Sequence, residues 1–351
     1  MSRFKIMMLA ALGFAIVVIV AGDFFLYPRY VSDLSSYRDQ DLTRVESGRN
    51  KFNKNKNGLW LRYFWYAGKH TAKEEEDLAK FLQTEQILFA YFHVREVDKS
   101  GRLVCRYRES AKRLVNAIHK HSPSVLAIAW VSAGQWYPAH GTNIKDPLVR
   151  RQMVKEAKFL INECGFDGVQ WDYEPCANED TDLPKLLAET KGALKTKFVG
   201  VATPMWYPPR LKLWYPQWYS YGWSESYFSQ IAQYCDQMAL MCYDTGSIYP
   251  RAYEWLVAQQ PIHLENALKN NTGNCTYILG LSTYDRNFLH DHCETQGLGI
   301  QGAVQGMKAV SDFEKRTGAV NGDTKCDGIA LFADYTTDDK EWRLYNSMWR
   351  D

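Results

Sequence analysis

The sequence predicts an α/β protein: a (β/α)8 barrel (TIM barrel) preceded by an N-terminal membrane anchor or signal segment and a polar stalk. Three observations support this fold class. After Gly58, short apolar runs alternate with longer amphipathic stretches, as in βα repeats. There are eight such runs. About 290 residues follow the stalk, a usual size for a barrel. An open doubly wound sheet is the alternative, but no glycine-rich phosphate loop follows the first run.

The amino terminus has the pattern of a membrane segment. Arg3 and Lys5 precede an apolar stretch over residues 6–27, interrupted by Asp23. About 20 apolar residues span a bilayer, so we expect membrane contact through this stretch. A cleaved signal peptide is the alternative, with small residues around Ala21 near the cut. Both interpretations place the rest of the chain on the non-cytoplasmic side, as a single-pass anchored, secreted or periplasmic protein.

The rest of the chain divides into two parts. Residues 31–58 are polar and charged without a repeating apolar face, which predicts a solvated stalk after a membrane or signal segment at residues 1–30. Residues 59–351 form the predicted barrel. Its strands are expected at Trp60–Tyr66, Gln86–Val94, Val125–Ser132, Phe166–Glu174, Phe198–Thr203, Asp236–Tyr243, Tyr277–Tyr284 and Asp327–Tyr335.

Amphipathic stretches between these runs predict helices. Arg108–His121 carries an apolar stripe at helical spacing, as do Pro147–Cys164 and Ile300–Arg316. Gly165 directly follows the second of them, where a helix commonly ends.

Charge and cysteine content exclude some classes of function. The chain has 42 basic and 40 acidic side chains, a net charge of +2, which argues against a nucleic-acid partner. None of the eight cysteines forms a Cys-x-x-Cys pair and histidine is sparse, so we expect neither a metal site nor a cofactor. An even number of cysteines in an exported chain is compatible with disulfide bonds. We expect core positions for Cys164, Cys235 and Cys242, and the better disulfide candidates are Cys176, Cys275, Cys293 and Cys326.

The fourth run carries the most informative polar pattern. Because side chains alternate across a strand, Gln170, Asp172 and Glu174 share one face. Glu174 falls at the carboxyl end of the strand, where barrel active sites lie, and Pro175 ends the strand directly after it. Acids buried in a row are costly unless they are paired and used, so the pattern predicts a catalytic site. A buried polar network that only orders the barrel is the structural alternative.

This run resembles the fourth strand of glycoside hydrolase family 18, the chitinase-like barrels, whose motif is Asp-x-x-Asp-x-Asp-x-Glu. Asp167, Asp172 and Glu174 match it at the right spacing, and Gln170 replaces the middle Asp. Elsewhere the chain resembles the family motifs on strands three, six and seven. The matching segments are Ser132-Ala133-Gly134, Met241-Cys242-Tyr243-Asp244 and Leu279–Arg286.

The resemblance implies a retaining hydrolase of glycans that contain β-linked N-acetylglucosamine, such as chitin-like chains, peptidoglycan or an N-glycan core. Glu174 would be the acid and later the base, and the nucleophile would be the substrate's own acetamido oxygen. Asp172 would orient the acetamido group, and Tyr243 would donate to its carbonyl oxygen. Met241, Asp244, Gln170 and Asp167 would have supporting parts, with Asp167 more structural because it has the opposite parity from Glu174.

Aromatic residues make up 14% of the chain, and several follow predicted strand ends, where rings could stack on sugars. In the eighth run, Phe332 or Tyr335 would stand where these chitinases usually have a Trp. The predicted substrate-binding residues are Trp65, Tyr91, Trp130, Trp136, Trp206, Tyr284, Phe332 and Tyr335. The proline- and tryptophan-rich segment Trp206–Trp223 predicts a long loop over the barrel.

Two other functions are compatible with these residues. One is a catalytically inactive barrel that binds glycans as a lectin, which the presence of Glu174 disfavours. The other is a barrel glycosidase that acts on a sugar without an acetamido group, which Gln170 and the missing Trp allow.

Overall fold

A computed structural model describes residues 51–135, 141–208, 222–245, 250–271, 273–284, 294–317 and 324–350, together with helical residues 8, 12–15 and 17. In these residues, no helix combines the length and apolar character that a membrane span needs. Most of the predicted membrane segment, residues 6–27, lies outside the described residues, as do Trp136, Cys293 and most of the loop after the fifth strand.

The predicted barrel is confirmed. Eight strands pair in parallel and in sequence order, and the eighth pairs with the first to close the barrel. The strands are β1 (Asn57–Leu61), β2 (Ile87–Glu96), β3 (Leu126–Gly134), β4 (Gly168–Glu174), β5 (Phe198–Thr203), β6 (Gln237–Met241), β7 (Thr276–Ser282) and β8 (Cys326–Phe332). The described helices are α1 (Tyr63–Tyr66), α2 (Ala72–Thr84), α3 (Arg108–His121), α4 (Pro147–Asn162), α5 (Leu183–Leu194), α6 (Glu225–Ile231), α7 (Pro250–Leu268), α8 (Gln296–Thr317) and α9 (Asp339–Tyr345).

Helix α4 shows how local sequence sets these bounds. Asp146 is its N-cap and accepts a hydrogen bond from the Leu148 backbone N–H. Pro147 occupies the first turn, where its missing N–H costs nothing. Beyond the carboxyl end, Gly165 has a φ of +91°, which glycine adopts without strain. The helix ends at Asn162 with Glu163 as its C-cap, two residues before the predicted end at Cys164.

The first strand differs from its prediction. We expected a strand over Trp60–Tyr66, but β1 ends at Leu61 and Tyr63–Tyr66 form the short helix α1. A continuous apolar run fits a buried strand and a buried helix equally well. At the junction, the backbone N–H of Arg62, the N-cap residue of α1, donates to Asp334 Oδ1 at 3.0 Å.

The interior of the barrel is filled mainly by aromatic side chains. Trp60 stacks on Tyr91 with ring centroids 5.0 Å apart, and Trp130 belongs to the same buried cluster. On the outer side of β4, the buried Trp171 donates from Nε1 to Thr190 on α5 at 3.1 Å. The predicted division of β4 into a polar inner face and an apolar outer face is confirmed.

The prediction of disulfide bonds is not supported. All seven cysteines within the described residues are free. Three of the four disulfide candidates, Cys176, Cys275 and Cys326, are buried free thiols, as are the predicted core residues Cys164, Cys235 and Cys242. Burial raises the pKa of the Cys164 thiol to about 12 and so keeps it protonated. A small thiol fills core space like an apolar side chain, and this explains why its burial does not require a bond.

Candidate active site

The carboxyl ends of the strands surround one cavity of about 400 Å³. The register between β3 and β4 places their carboxyl ends side by side at this cavity. Ser132 pairs with Asp172, and Gly134 pairs with Glu174. The cavity is lined by Trp60, His93, Trp130, Asp172, Tyr173, Glu174, Pro175, Cys176, Ala202, Pro204, Met205, Tyr207, Gly222, Met241, Tyr243, Asp244, Phe332 and Tyr335.

Gly134 allows the close approach of β3 to β4 at this point. Its φ is +111°, and a Cβ added there would lie 2.0 Å from the backbone oxygen of Glu174. The next residue, Gln135, donates from its backbone N–H to the same oxygen at 2.8 Å. Glycine is therefore required sterically, and the backbone of Glu174 is fixed from β3.

Asp172 is buried and held from β3. Its Oδ2 accepts hydrogen bonds from Trp130 Nε1 at 2.9 Å and from Ser132 Oγ at 3.2 Å. Its Oδ1 has no hydrogen-bond partner among the described residues. Burial raises the pKa of Asp172 to about 6, although both hydrogen bonds act in the opposite direction. One carboxylate oxygen is thus held by protein while the other is left for a ligand.

Glu174 reaches the cavity two residues further along β4 and is half-buried. Burial raises its pKa well above that of a free glutamate, and the negative charges of Asp172 and Asp244 raise it further. A carboxyl group with a raised pKa keeps its proton at pH values where a free glutamate is ionised, as a general acid requires.

Tyr243 and Asp244 lie directly after β6, on the same cavity. The Tyr243 ring stacks on Phe332 at 5.0 Å. Burial raises the pKa of Tyr243, so its hydroxyl keeps its proton and can donate. Asp244 has a φ of +53° and accepts a hydrogen bond from the Tyr284 hydroxyl at 2.8 Å.

Gln170 occupies the position of the missing middle Asp and is fully buried. Its Oε1 accepts from Trp60 Nε1 at 2.9 Å, while its Nε2 has no partner among the described residues. Asp167 lies away from the cavity, just before β4, where it accepts from His119 and from the Ala127 backbone N–H. This position outside the cavity is compatible with the structural role expected for Asp167.

The predicted aromatic residues separate into two groups. Trp130, Phe332 and Tyr335 line the cavity, and Tyr335 is 48% exposed. Phe332 contacts Trp60 and Trp130 edge-on at 5.8 and 5.9 Å, so its ring continues the aromatic cluster of the barrel interior into the cavity lining.

The other predicted sugar-binding aromatic residues that the structure describes are not among the residues that line the cavity. Tyr91 is a correction: it is completely buried in the barrel and donates from its hydroxyl to Gln237 at 2.5 Å. Trp206 is also a correction, since it is buried and stacks on His263. Trp65 stacks on His70 and donates to Asp334. Tyr284 lies behind the lining residues: its hydroxyl donates to Asp244, and its ring contacts Tyr243 and Phe332 edge-on at 6.2 and 6.4 Å. Trp136 lies outside the described residues.

Several residues of the cavity wall were not among the predicted site residues, and His93, Trp60 and Tyr207 are three of them. His93 had no assigned role, yet it lines the cavity beside Trp130. The sequence could have placed His93 on this wall, because it lies two residues after the inward-facing Tyr91 on β2 and alternate residues of a strand share one face. Trp60 and Tyr207 also line the cavity. Tyr207 is adjacent to Trp206 in the chain, and sequence alone does not decide which neighbour faces inward.

No family model matches the chain, and no curated protein matches its sequence. Solved structures match its fold. The spore cortex-lytic enzyme SleL of Bacillus cereus aligns with a TM-score of 0.55 and 12% identity, over 84% of this chain and 74% of that one. A chitinase from Bacteroides thetaiotaomicron aligns with a TM-score of 0.53 and 16% identity, over 84% of this chain and 95% of that one.

The Group IV chitinase of Ostrinia furnacalis aligns with a TM-score of 0.52 and 12% identity, over 84% of this chain and 98% of that one. The same chitinase has also been solved in complex with allosamidin. At these identities the likeness is one of fold, and the predicted chitinase-like barrel is confirmed at that level.

Proposed function

We propose that the protein is a retaining glycoside hydrolase that cleaves β-linked N-acetylglucosamine-containing glycans by substrate-assisted catalysis. The observation that carries this proposal is the pair of carboxyls on β4, Asp172 and Glu174, which line the same cavity as Tyr243. The chitinases and the cortex-lytic enzyme of similar fold support the substrate class.

Glu174 acts first as the acid. Its raised pKa keeps it protonated, and it gives this proton to the leaving glycosidic oxygen. The substrate's acetamido oxygen attacks the anomeric carbon and forms an oxazolinium ion. The Glu174 carboxylate then takes a proton from water, which attacks the same carbon and displaces the acetamido oxygen, so the ring opens to the acetamido group and stereochemistry at that carbon is retained.

Asp172 and Tyr243 act on the acetamido group. The ionised Asp172, held by Trp130 and Ser132, orients the acetamido nitrogen and offsets the positive charge of the oxazolinium ion. Tyr243 donates a hydrogen bond to the acetamido oxygen. Gln170, Met241 and Asp244 support these groups, and the exposed ring of Tyr335 offers a stacking surface for a sugar.

We also propose that residues 1–30 are a membrane anchor or signal segment, that residues 31–58 are a stalk, and that residues 59–351 are the catalytic body. The body would then lie on the non-cytoplasmic side, anchored, secreted or periplasmic. Fractionation of the producing cells tests this, because a body recovered in the cytoplasmic fraction would contradict it.

Activity is tested on the full chain with chito-oligosaccharides and peptidoglycan fragments. Glu174→Gln should abolish product formation, while the control Glu179→Gln, an exposed residue in the next loop, should leave it unchanged. Binding without product from the wild type would indicate a lectin. Cleavage only of sugars that lack an acetamido group would indicate the other glycosidase.

Two further measurements test the mechanism. A thiazoline mimic of the oxazolinium ion should inhibit competitively, as should allosamidin, which binds the Group IV chitinase of similar fold. The first product observed by NMR should be the β-anomer. Failure of the thiazoline to inhibit an active enzyme would exclude substrate assistance.

A further inference from the structure

His93 lies on the cavity wall next to the residues that hold Asp172. It is near the end of β2, and its ring lies against the Trp130 ring with centroids 4.2 Å apart and an interplanar angle of 30°. Its Nε2 is 3.2 Å from Ser132 Oγ. His93 therefore contacts both of the residues that hydrogen-bond to Asp172 Oδ2.

The contacts form a chain in which the proton positions are constrained. A serine hydroxyl has one hydrogen, and Ser132 uses it to donate to Asp172. The contact between Ser132 and His93 then requires the imidazole to be the donor, through an Nε2–H. A neutral imidazole has one N–H, so this contact selects the Nε2–H tautomer.

The charged surroundings allow a neutral His93. Burial is the main cause that lowers its pKa, to about 4; Glu96 raises the pKa and Arg95 lowers it. Both residues lie on β2 itself. Across the cavity are Asp172 and Glu174 from β4, and Tyr243 and Asp244 after β6.

Gln170 makes this chain of contacts important. An amide cannot share a proton with Asp172, so residue 170 does not stabilise the Asp172 carboxylate in that way. The hydrogen bonds that hold Asp172 come from β3 instead, and one of the two depends on the direction of the Ser132 hydroxyl.

We propose that His93 is a positioning residue: by donating from Nε2 to Ser132, it directs the serine proton onto Asp172 and fixes that carboxylate for catalysis. The catalytic part of this inference rests on the proposed hydrolase function. The hydrogen-bond part concerns only the chain itself.

The kinetic test uses three variants of the full chain. His93→Phe keeps a ring against Trp130 but removes the donor. His93→Gln keeps a side-chain N–H the same number of bonds from the backbone. His70→Phe makes the same change where a histidine stacks on Trp65, outside the described cavity wall.

For His93→Phe we expect kcat to fall roughly 10- to 100-fold with KM changed less than about threefold, because a misplaced group slows the reaction more than it weakens binding. The rising acidic limb of kcat/KM should move to higher pH, since Asp172 loses a hydrogen bond that favours its ionised form. His93→Gln should restore most of both effects, and His70→Phe should show neither. An unchanged kcat and acidic limb in His93→Phe would overturn the proposal, as would a loss that glutamine does not rescue.

A second measurement does not depend on activity. Nitrogen NMR of the chain labelled at histidine, with His93→Phe used for assignment, reports the tautomer directly. We expect Nε2–H and no titration of His93 above about pH 5. An Nδ1–H tautomer would overturn the proposal, because Ser132 would then donate to His93. If the chain hydrolyses no glycan but shows the Nε2–H tautomer, the proposed function fails while the hydrogen-bond chain stands.

Discussion

Trp60 donates from its indole Nε1 to Gln170 Oε1 at 2.9 Å, across the interior of the barrel from β1 to β4. Both side chains are buried, so the bond replaces contacts that each group would make with water. Gln170 stands where the similar family has an aspartate, and the Trp60 bond gives its amide oxygen a partner. The substitution in the fourth-strand motif is therefore accommodated by a residue 110 positions earlier.

This pair predicts a coupling in stability. Gln170→Leu leaves the Trp60 N–H buried without an acceptor, which should cost about 1–3 kcal/mol of unfolding free energy. Trp60→Phe should also destabilise, through the unpaired Gln170 oxygen and lost packing. The double variant should lose clearly less than the sum, as measured by urea unfolding. Additivity within about 0.5 kcal/mol would indicate that the hydrogen bond contributes little.

The pH dependence of activity should be bell-shaped. The proposed mechanism needs Asp172 ionised, and its pKa of about 6 places the rising limb of kcat/KM near pH 6. Glu174 must be protonated, and its raised pKa places the falling limb on the alkaline side of that point. We would measure kcat/KM on a soluble chito-oligosaccharide between about pH 4 and about pH 9, so that the rising limb lies well inside the range. A profile without a rising limb would exclude an essential Asp172 carboxylate.

Trp130→Phe should shift the rising limb. The change removes one of the two hydrogen bonds that lower the pKa of Asp172, so the limb should move up by roughly one pH unit, with a loss of about tenfold in kcat. Trp171→Phe is the matched control, because its indole donates to Thr190 on the outer face of β4. An equal shift in both variants would show that the effect is not specific to Asp172.

The raised pKa of Glu174 should lower the free energy of unfolding of the chain at pH values above about 4.5. Its pKa is higher in the folded chain than in the unfolded chain, so from about pH 4.5 upward the unfolded state loses its proton first and is favoured. Glu174→Gln removes this penalty. Its melting temperature should therefore exceed that of the wild type by an amount that grows as the pH rises from about 4.5 toward the raised pKa of the folded chain, and that vanishes below about pH 4.5. A difference that does not depend on pH would contradict the raised pKa.

The aromatic residues show where sequence reasoning succeeds and where it fails. Position near a strand end correctly identified Trp130, Phe332 and Tyr335 as cavity residues. The same criterion failed for Tyr91 and Trp206, because a ring near a strand end can turn into the barrel or against a helix. Trp206 illustrates this: its ring stacks on His263 of α7, a contact that no spacing in the chain reveals.

Local sequence was enough to predict the alternation of strands and helices and the polar face of β4. Both follow from local rules: apolar periodicity sets the elements, and the two-residue repeat of a strand puts Gln170, Asp172 and Glu174 on one side. The hydrogen-bond partners of these side chains are known only from the folded barrel. The partners of Asp172 and Gln170 come from β3 and β1, at separations of 40 to 110 residues. Such contacts depend on the closure and register of the whole barrel, and local sequence does not encode these.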